Sequence, residues 1–516
     1  MRERPKPSRS SSSGGERPLA GKEALCDTAR PGRLVRNLTW LAGGQLSGRL
    51  IALAVAIYLA RALGASAYGR IGVAFAFVAY LALVVQAGLD AIGTREVARA
   101  PAAATSVWRS IVSLRLVLAI LMYGLLVPLA WGLPDTALGG RALALAYGGR
   151  MLTLAINSAW LLRGREKMRS VGVGIVLQQT LNAAGIFWLI QSSHSPLVLV
   201  PLIHVTSELF QATWLFLAAR KDLGKLSGRV DYAQQKRLLR EAWPLGVTKA
   251  LRLVFYQGDL LLIAWLSTPE QAGYFLVGQK LIVSLVALSI LFYQNTLPAM
   301  SRMMTSGLEA ANLFRHDLAR FALAATLPVA VVSTVLAQSI IPLVFGAGFG
   351  SAAPIFSVMV WTLPLIVVSS GLRQQLVVAG FPRQLMVAEG LAAVAHIASA
   401  AVLIPLWGGW GAAWASLSGE VLQNLFLSYC VRHRLGAFPL DRRGMWVVAS
   451  GAAMGLFLLL GRSQRVWALL PGGLFVYGAG LVLARCISAR EVRLLFSSFD
   501  LRRHRRPIAR SSRPSK

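Results

Sequence analysis

The chain has 516 residues, 55% hydrophobic and 14% charged, with a mean hydropathy of +0.58. Soluble domains carry about 25% charged residues, so an ordinary soluble enzyme is excluded and a helical membrane protein is indicated, each crossing needing about 20 apolar residues. The net charge of +32 reads as topology rather than nucleic-acid binding, because the basic residues gather in the tails and in every second loop.

Residues 1–35 are polar, basic and Ser/Pro-rich, without the apolar core of a signal peptide. They predict a disordered basic tail that attracts anionic lipid. Apolar runs then predict fourteen spans, at 36–60, 71–90, 111–131, 142–162, 171–190, 197–219, 242–266, 271–298, 318–344, 352–380, 384–406, 409–430, 444–461 and 465–485. Loops after even-numbered spans are basic: Arg95, Arg99 and Arg109 after the second, Arg163, Arg165, Lys167 and Arg169 after the fourth. Loops after odd-numbered spans are poor in charge, which predicts both termini on the cytoplasmic side.

The basic stretch 220–241 reads as a cytoplasmic linker between an N-terminal lobe (36–219) and a C-terminal lobe (242–430), followed by two further spans (431–485) and a basic tail (486–516). A weak repeat supports the division. NLTWLAGGQLSGRL (37–50) aligns with REAWPLGVTKALRL (240–253), pairing Trp40 with Trp243 and Arg49 with Arg252 at an offset of 203. The expected fold is therefore all-α, with about fourteen transmembrane helices in two pseudo-symmetric lobes around a central cavity.

A charge at the bilayer centre costs about 2.5–3.5 kcal/mol on insertion scales, so charged residues inside spans mark a cavity or a partner. Span 1 carries Gln45 and Arg49 at i, i+4, and span 7 carries Lys249, Arg252, Tyr256 and Asp259 on one expected stripe. Gln178 and Asn182 in span 5, Gln279 and Lys280 in span 8, and Arg373 near the end of span 10 complete the expected lining. The amides also read as helix-to-helix glue, and Lys280 and Arg373 as snorkelling cations. Glu208, Asp259 and Glu420 read either as proton or sodium sites or as arginine partners. His204 and His396 read as isolated, packed histidines, and Arg61 as an anchor at the outer end of span 1. An interior with more cations than deep anions suits a phosphate or carboxylate on a large or lipidic carrier, because the arginine fork matches pairs of phosphate oxygens.

There is no GxxxxGK[ST] loop, no G-x-S-x-G, no HExxH, and Cys26, Cys430 and Cys486 lack metal-ligand spacing. No cofactor and no enzymatic activity are expected. A membrane glycosyltransferase or polymerase is the less favoured reading, since the external loops are short.

RNLTWLAGGQLSGRLIALAVAIYLARALGASAYG (36–69) with AGLDAIGTREVAR (87–99), then GDLLLIAWL, AGYFLVGQK, LPAMSR, IIPLVFGAGF and IPLWGGWGAAWASLSGE, resembles polysaccharide and O-antigen repeat-unit flippases of the multidrug/oligosaccharidyl-lipid/polysaccharide exporter superfamily. Ala65, Ser66 and Ala67 depart from the family's usual proline and acidic residues in the first turn. The resemblance implies two lobes around a cationic cavity, alternating access, a polyprenyl-diphosphate-linked oligosaccharide as cargo, and a cavity arginine where Arg49 stands. It also implies a bacterial inner-membrane location beside a polymerase and glycosyltransferases. A peptidoglycan-precursor flippase and a multidrug exporter are the alternatives within the superfamily.

Overall fold

The first apolar run does not stop where a loop was expected. The computed structural model describes residues 31–192, 194–224, 228–286, 308–435, 442–461 and 466–484. In it, helix α1 (Pro31–Gln86) runs through both of the first two expected spans and is kinked at Gly64, whose φ is 78°. That backbone conformation is open to glycine but strained for residues with a β-carbon. The axis therefore bends there, and the expected turn becomes a hinge inside one helix.

The rest is helical in the same manner. α2 (Leu89–Arg99) and α3 (Ala104–Gly132) are followed by three short helices, α4 (Arg141–Gly148), α5 (Arg150–Ile156) and α6 (Ala159–Gly164), which together replace the single expected span 142–162. α7 (Met168–Leu189) and α8 (Leu199–Leu223) come next. α9 (Tyr232–Leu253) begins well inside the expected linker, capped by the Asp231 carboxylate, which accepts from the Gln234 amide at 3.1 Å. A five-residue π turn (Val254–Gly258) joins it to α10 (Asp259–Leu266). α11 covers 269–286 of the described chain. α12 (Leu308–Phe345), α13 (Ala352–Met359), α14 (Thr362–Val378), α15 (Pro382–Leu435, kinked at Gly408), α16 (Arg442–Leu460) and α17 (Val466–Leu483) complete the fold.

Eight helical stretches among the described residues are long and apolar enough to cross a membrane. Large side chains such as Leu50, Trp188 and Phe475 are exposed, which suits a lipid surround and no aqueous one. The chain is a multi-pass, all-α membrane protein. One apolar core joins its two halves: Leu59, Ile71 and Val78 of α1 share it with Leu260, Phe275 and Phe356. A separate cluster holds α16 and α17 on α12 through Leu327, Val447, Met454 and Tyr477.

The two halves also meet in a reciprocal contact. A β-carbon on Gly69 would stand 2.0 Å from the Pro269 carbonyl oxygen, and one on Gly273 would stand 2.0 Å from that of Ala65. Exchanging 65 with 269 and 69 with 273 maps the contact onto itself, an offset of 204 rather than the 203 that aligns Arg49 with Arg252. The π turn lies between these two registers. A π turn closes i to i+5 instead of i+4, so it accommodates the one extra residue.

Two polar seams accompany this core. At one, Arg61 donates from Nε to the Val344 carbonyl at 2.8 Å and from Nη2 to the Leu343 carbonyl. Arg61 is thus a tie to the C-terminal carbonyls of α12, which lack helical partners, and not merely a helix-end anchor. At the other, Arg95 pairs with Glu241, Arg237 with Glu96 at 3.2 Å, and Lys249 with Asp90 at 3.9 Å, joining α2 to α9.

Candidate functional site

Lys249 and Arg252 stand three residues apart near the end of α9, so they share a face. Tyr256 follows on the π turn. These three, with Gln86 of α1 and Arg150 of α5, line a cavity of about 400 Å³. The fourth member of the expected stripe is missing from it. The extra residue of the π turn rotates everything beyond it by about 100°, and Asp259 leaves the cation face.

Arg150 was not singled out from the sequence, although it lies within the fourth expected span and meets the same criterion of an expensive charge in an apolar run. It occupies the first position of α5. Its Nε lies 3.5 Å from Glu208 Oε1, and its guanidinium 4.8 Å from the centre of the Phe75 ring. His204 Nε2 approaches the same Glu208 oxygen at 3.4 Å, and Thr153 donates to Oε2 at 3.3 Å. Glu208 is therefore an arginine partner, half-buried between Arg150 and His204, and His204 is not isolated.

The cavity thus gathers three cations from two halves of the chain. Glu208 faces Arg150, and Asp90 is shared between Lys249 and the buried Arg115, which is closer at 2.9 Å. Arg252 makes no ion pair among the described residues. Positive charge gathered this way on the wall of one cavity attracts an anion.

Beside it lies a second cavity of about 180 Å³, lined by Ala52 and Ala56 of α1, Gln179 and Asn182 of α7, Gln279, and Lys280. Gln178 is buried and accepts from Gln179 at 2.9 Å. Gln279 also donates to the Tyr256 carbonyl at 2.6 Å. Gln45 and Arg49 fall on the α1 stripe that continues into Ala52 and Ala56. Arg49 is exposed one turn before that cavity and is not on the wall that carries Arg252. The cation that accompanies Arg252 and Lys249 in one cavity is Arg150.

The remaining expected residues form a buried network in the second half. Arg373 is tied to Glu389 at 3.0 Å and donates to Gln423 at 2.7 Å, so its charge is spent within the helix bundle. Glu389 had not been singled out. His396 Nε2 sits 3.0 Å from Asp259 Oδ1, both side chains almost wholly buried, and Ser416 donates to Asp259 Oδ2 at 2.5 Å. His396 is thus a partner and not isolated, and the partner of Asp259 is a histidine and not an arginine. Glu420 lines a small void of about 40 Å³ with Ser416, Thr362, Tyr256 and Gln279. Among the described residues no group of three His, Cys, Asp or Glu is arranged to hold a metal ion.

The sequence matches the family model described as "polysaccharide biosynthesis protein" over residues 34–304, more than half of the chain. No curated protein matches it in sequence. Three solved structures illustrate the fold. The lipid II flippase MurJ in an inward closed conformation has 14% identity and a TM-score of 0.68, over 90% of this chain and 99% of that one. A multidrug resistance MATE family transporter of the MOP superfamily, inward-facing, has 16% identity and a TM-score of 0.59, over 75% and 94%. A MOP superfamily transporter from Pyrococcus furiosus, with a binding pocket of reversed polarity, has 16% identity and a TM-score of 0.53, over 78% and 95%. At these identities the likeness concerns the fold.

Proposed function

The chain belongs to the polysaccharide biosynthesis protein family, and from that premise we propose that it flips polyprenyl-diphosphate-linked oligosaccharide repeat units across a bacterial cytoplasmic membrane. On this reading it has fourteen spans, cytoplasmic termini, and two lobes that rock about the cavity. The observation that carries the proposal is the convergence of Arg150, Lys249 and Arg252 on one cavity. A diphosphate offers several anionic oxygens, and arginine forks take them in pairs. Lys280, Gln279 and Asn182 in the neighbouring cavity supply one further cation and amides for sugar hydroxyls. Arg49, on the stripe leading to that cavity, meets the cargo as it enters, while the prenyl chain stays in lipid. Arg373, neutralised by Glu389, has a structural role. Asp259, Glu208 and Glu420 are the groups offered for ion or proton coupling.

An exporter of cationic drugs would need an acidic lining, and three cations oppose it. Peptidoglycan precursors share the diphosphate, so the cavity serves them equally well. The test is a deletion strain, examined for lipid-linked repeat units trapped on the inner leaflet. Accumulation that is relieved by the wild-type gene and not by Arg252→Ala is expected. No accumulation defeats the proposal, and accumulation of the cell-wall precursor instead reassigns the cargo.

A further inference from the structure

A groove of about 640 Å³ runs between α1 and α7, walled by Trp40, Gly43 and Ser47 on one side and Val173, Val176 and Leu177 on the other. Its floor is backbone. A β-carbon on Gly172 would stand 2.4 Å from the Trp40 carbonyl oxygen, and one on Gly44 would stand 2.8 Å from Gly172. On α1, Gly43 and Ser47 lie on one flank of this contact. Ala52 and Ala56, which face the inner cavity, lie on the other. Beside the groove, Leu46 and Leu50 are 40% and 62% exposed. Exposed leucines on a membrane helix face acyl chains, so the groove opens to lipid and not to the transport path.

Its mouth is what separates it from ordinary lipid contact. The Arg169 guanidinium, on the first turn of α7, lies 5.3 Å from the centre of the Trp40 ring. Its neighbours Arg165 and Lys167 both engage Asp222, at 3.1 and 2.5 Å. Arg169 is turned onto the tryptophan and is exposed. Tryptophan settles at headgroup level, and an arginine held against it presents its N–H groups to a phosphate there.

We propose that this groove is a binding site for an anionic glycerophospholipid. The phosphodiester sits on Arg169, the glycerol rests against Trp40, and one acyl chain lies along Gly43, Ser47, Val173 and Val176. The choice of occupant follows from charge. One arginine matches one phosphodiester, whereas a polyprenyl diphosphate is better met by the three cations of the inner cavity. The site is independent of what the protein transports.

The test uses the full chain, purified and reconstituted in nanodiscs of phosphatidylglycerol or phosphatidylcholine, with retained lipid read by native mass spectrometry. One cation at the membrane surface is worth about 1 kcal/mol, so wild type should retain phosphatidylglycerol about fivefold more strongly. Arg169→Ala should erase that preference while chains are still held. Gly43→Leu should expel the chain, and a β-carbon at 43 has nothing within 4 Å to strain. Ser47→Leu repeats the test from the next turn. Equal retention of the two lipids by wild type overturns the headgroup assignment. Undiminished retention in both filling variants overturns the groove, and a tightly retained polyprenyl phosphate overturns the choice of lipid.

Discussion

Gly69 and Gly273 each close on the other's turn, Gly69 against the Pro269 carbonyl and Gly273 against that of Ala65, with no room for a β-carbon at either. Overpacking a tight contact costs about 1–3 kcal/mol. Gly69→Ala and Gly273→Ala should each lower the thermal stability of the detergent-solubilised protein by that order. Because both act on one contact, the double variant should cost less than the sum. Gly124→Ala, with nothing within 4 Å, serves as the control. Unchanged melting of both single variants would mean the turns are not in contact.

Arg150 and Glu208 differ in kind although they touch. Removing the arginine leaves a half-buried carboxylate with, among the described residues, His204 and Thr153 beside it, and breaking a fully buried pair costs about 3–5 kcal/mol, an upper bound here. Arg150→Met should therefore destabilise, and Arg150→Met with Glu208→Gln should recover most of the loss. Transport should not recover, because the cavity still lacks a cation. Full transport by the stable double variant would place Arg150 in the structural class alone.

Arg252 makes no ion pair among the described residues and acts on Glu389 and Glu420 only through the longer-range field, so its substitution should change stability little and affect cargo. Hydrogen bonds to charged groups are worth about 1.5–3 kcal/mol, so Arg252→Ala should weaken binding of a lipid-linked diphosphate at least tenfold. Arg252→Lys keeps the charge without the fork and should recover only part of the loss. Equal binding by all three proteins, measured by titration in nanodiscs, would remove Arg252 from the site.

Arg61 holds the end of α12 through the Leu343 and Val344 carbonyls. These bonds are exposed, so Arg61→Ala should cost no more than about 1 kcal/mol globally. Its effect should be local: faster amide hydrogen exchange over residues 341–350, with the rest of the chain unchanged. No change in that segment would return Arg61 to the role of a helix-end anchor.

The fold class was legible because the expense of charge in a bilayer shows directly in the residue types. The same logic singles out Arg252, Lys249, Glu208 and Asp259, and applied more strictly it would single out Arg150 and Glu389 as well. What it could not supply was the pairing. Helical periodicity orders residues within one helix, and Asp259 was therefore placed with Arg252, but the π turn breaks the stripe between them. The same extra residue shifts the internal repeat from 203 before the turn to 204 after it. Gly64 read as a loop because composition marks a bend without saying that helix resumes on both sides.

Asp259 and His396 illustrate how far pairing changes chemistry. His396 Nδ1 faces the Ala415 carbonyl at 3.1 Å, so that nitrogen carries a hydrogen. Its other nitrogen faces Asp259 Oδ1 at 3.0 Å. Two bare acceptors would repel at that distance, so the pair shares a further proton. Asp259→Asn replaces it with an amide N–H that can donate to the same nitrogen. That variant should fold with stability within about 1 kcal/mol of wild type, while Asp259→Ala should lose about 3–5 kcal/mol by stranding a buried histidine. If the shared proton is taken up and released during transport, cargo movement in vesicles should respond to an imposed pH gradient in wild type and not in Asp259→Asn. Cargo binding should survive in that variant, since Asp259 lies off the cation face. A retained gradient response in Asp259→Asn would assign coupling elsewhere, to Glu208 or Glu420, and leave the Asp259–His396 pair a structural tie.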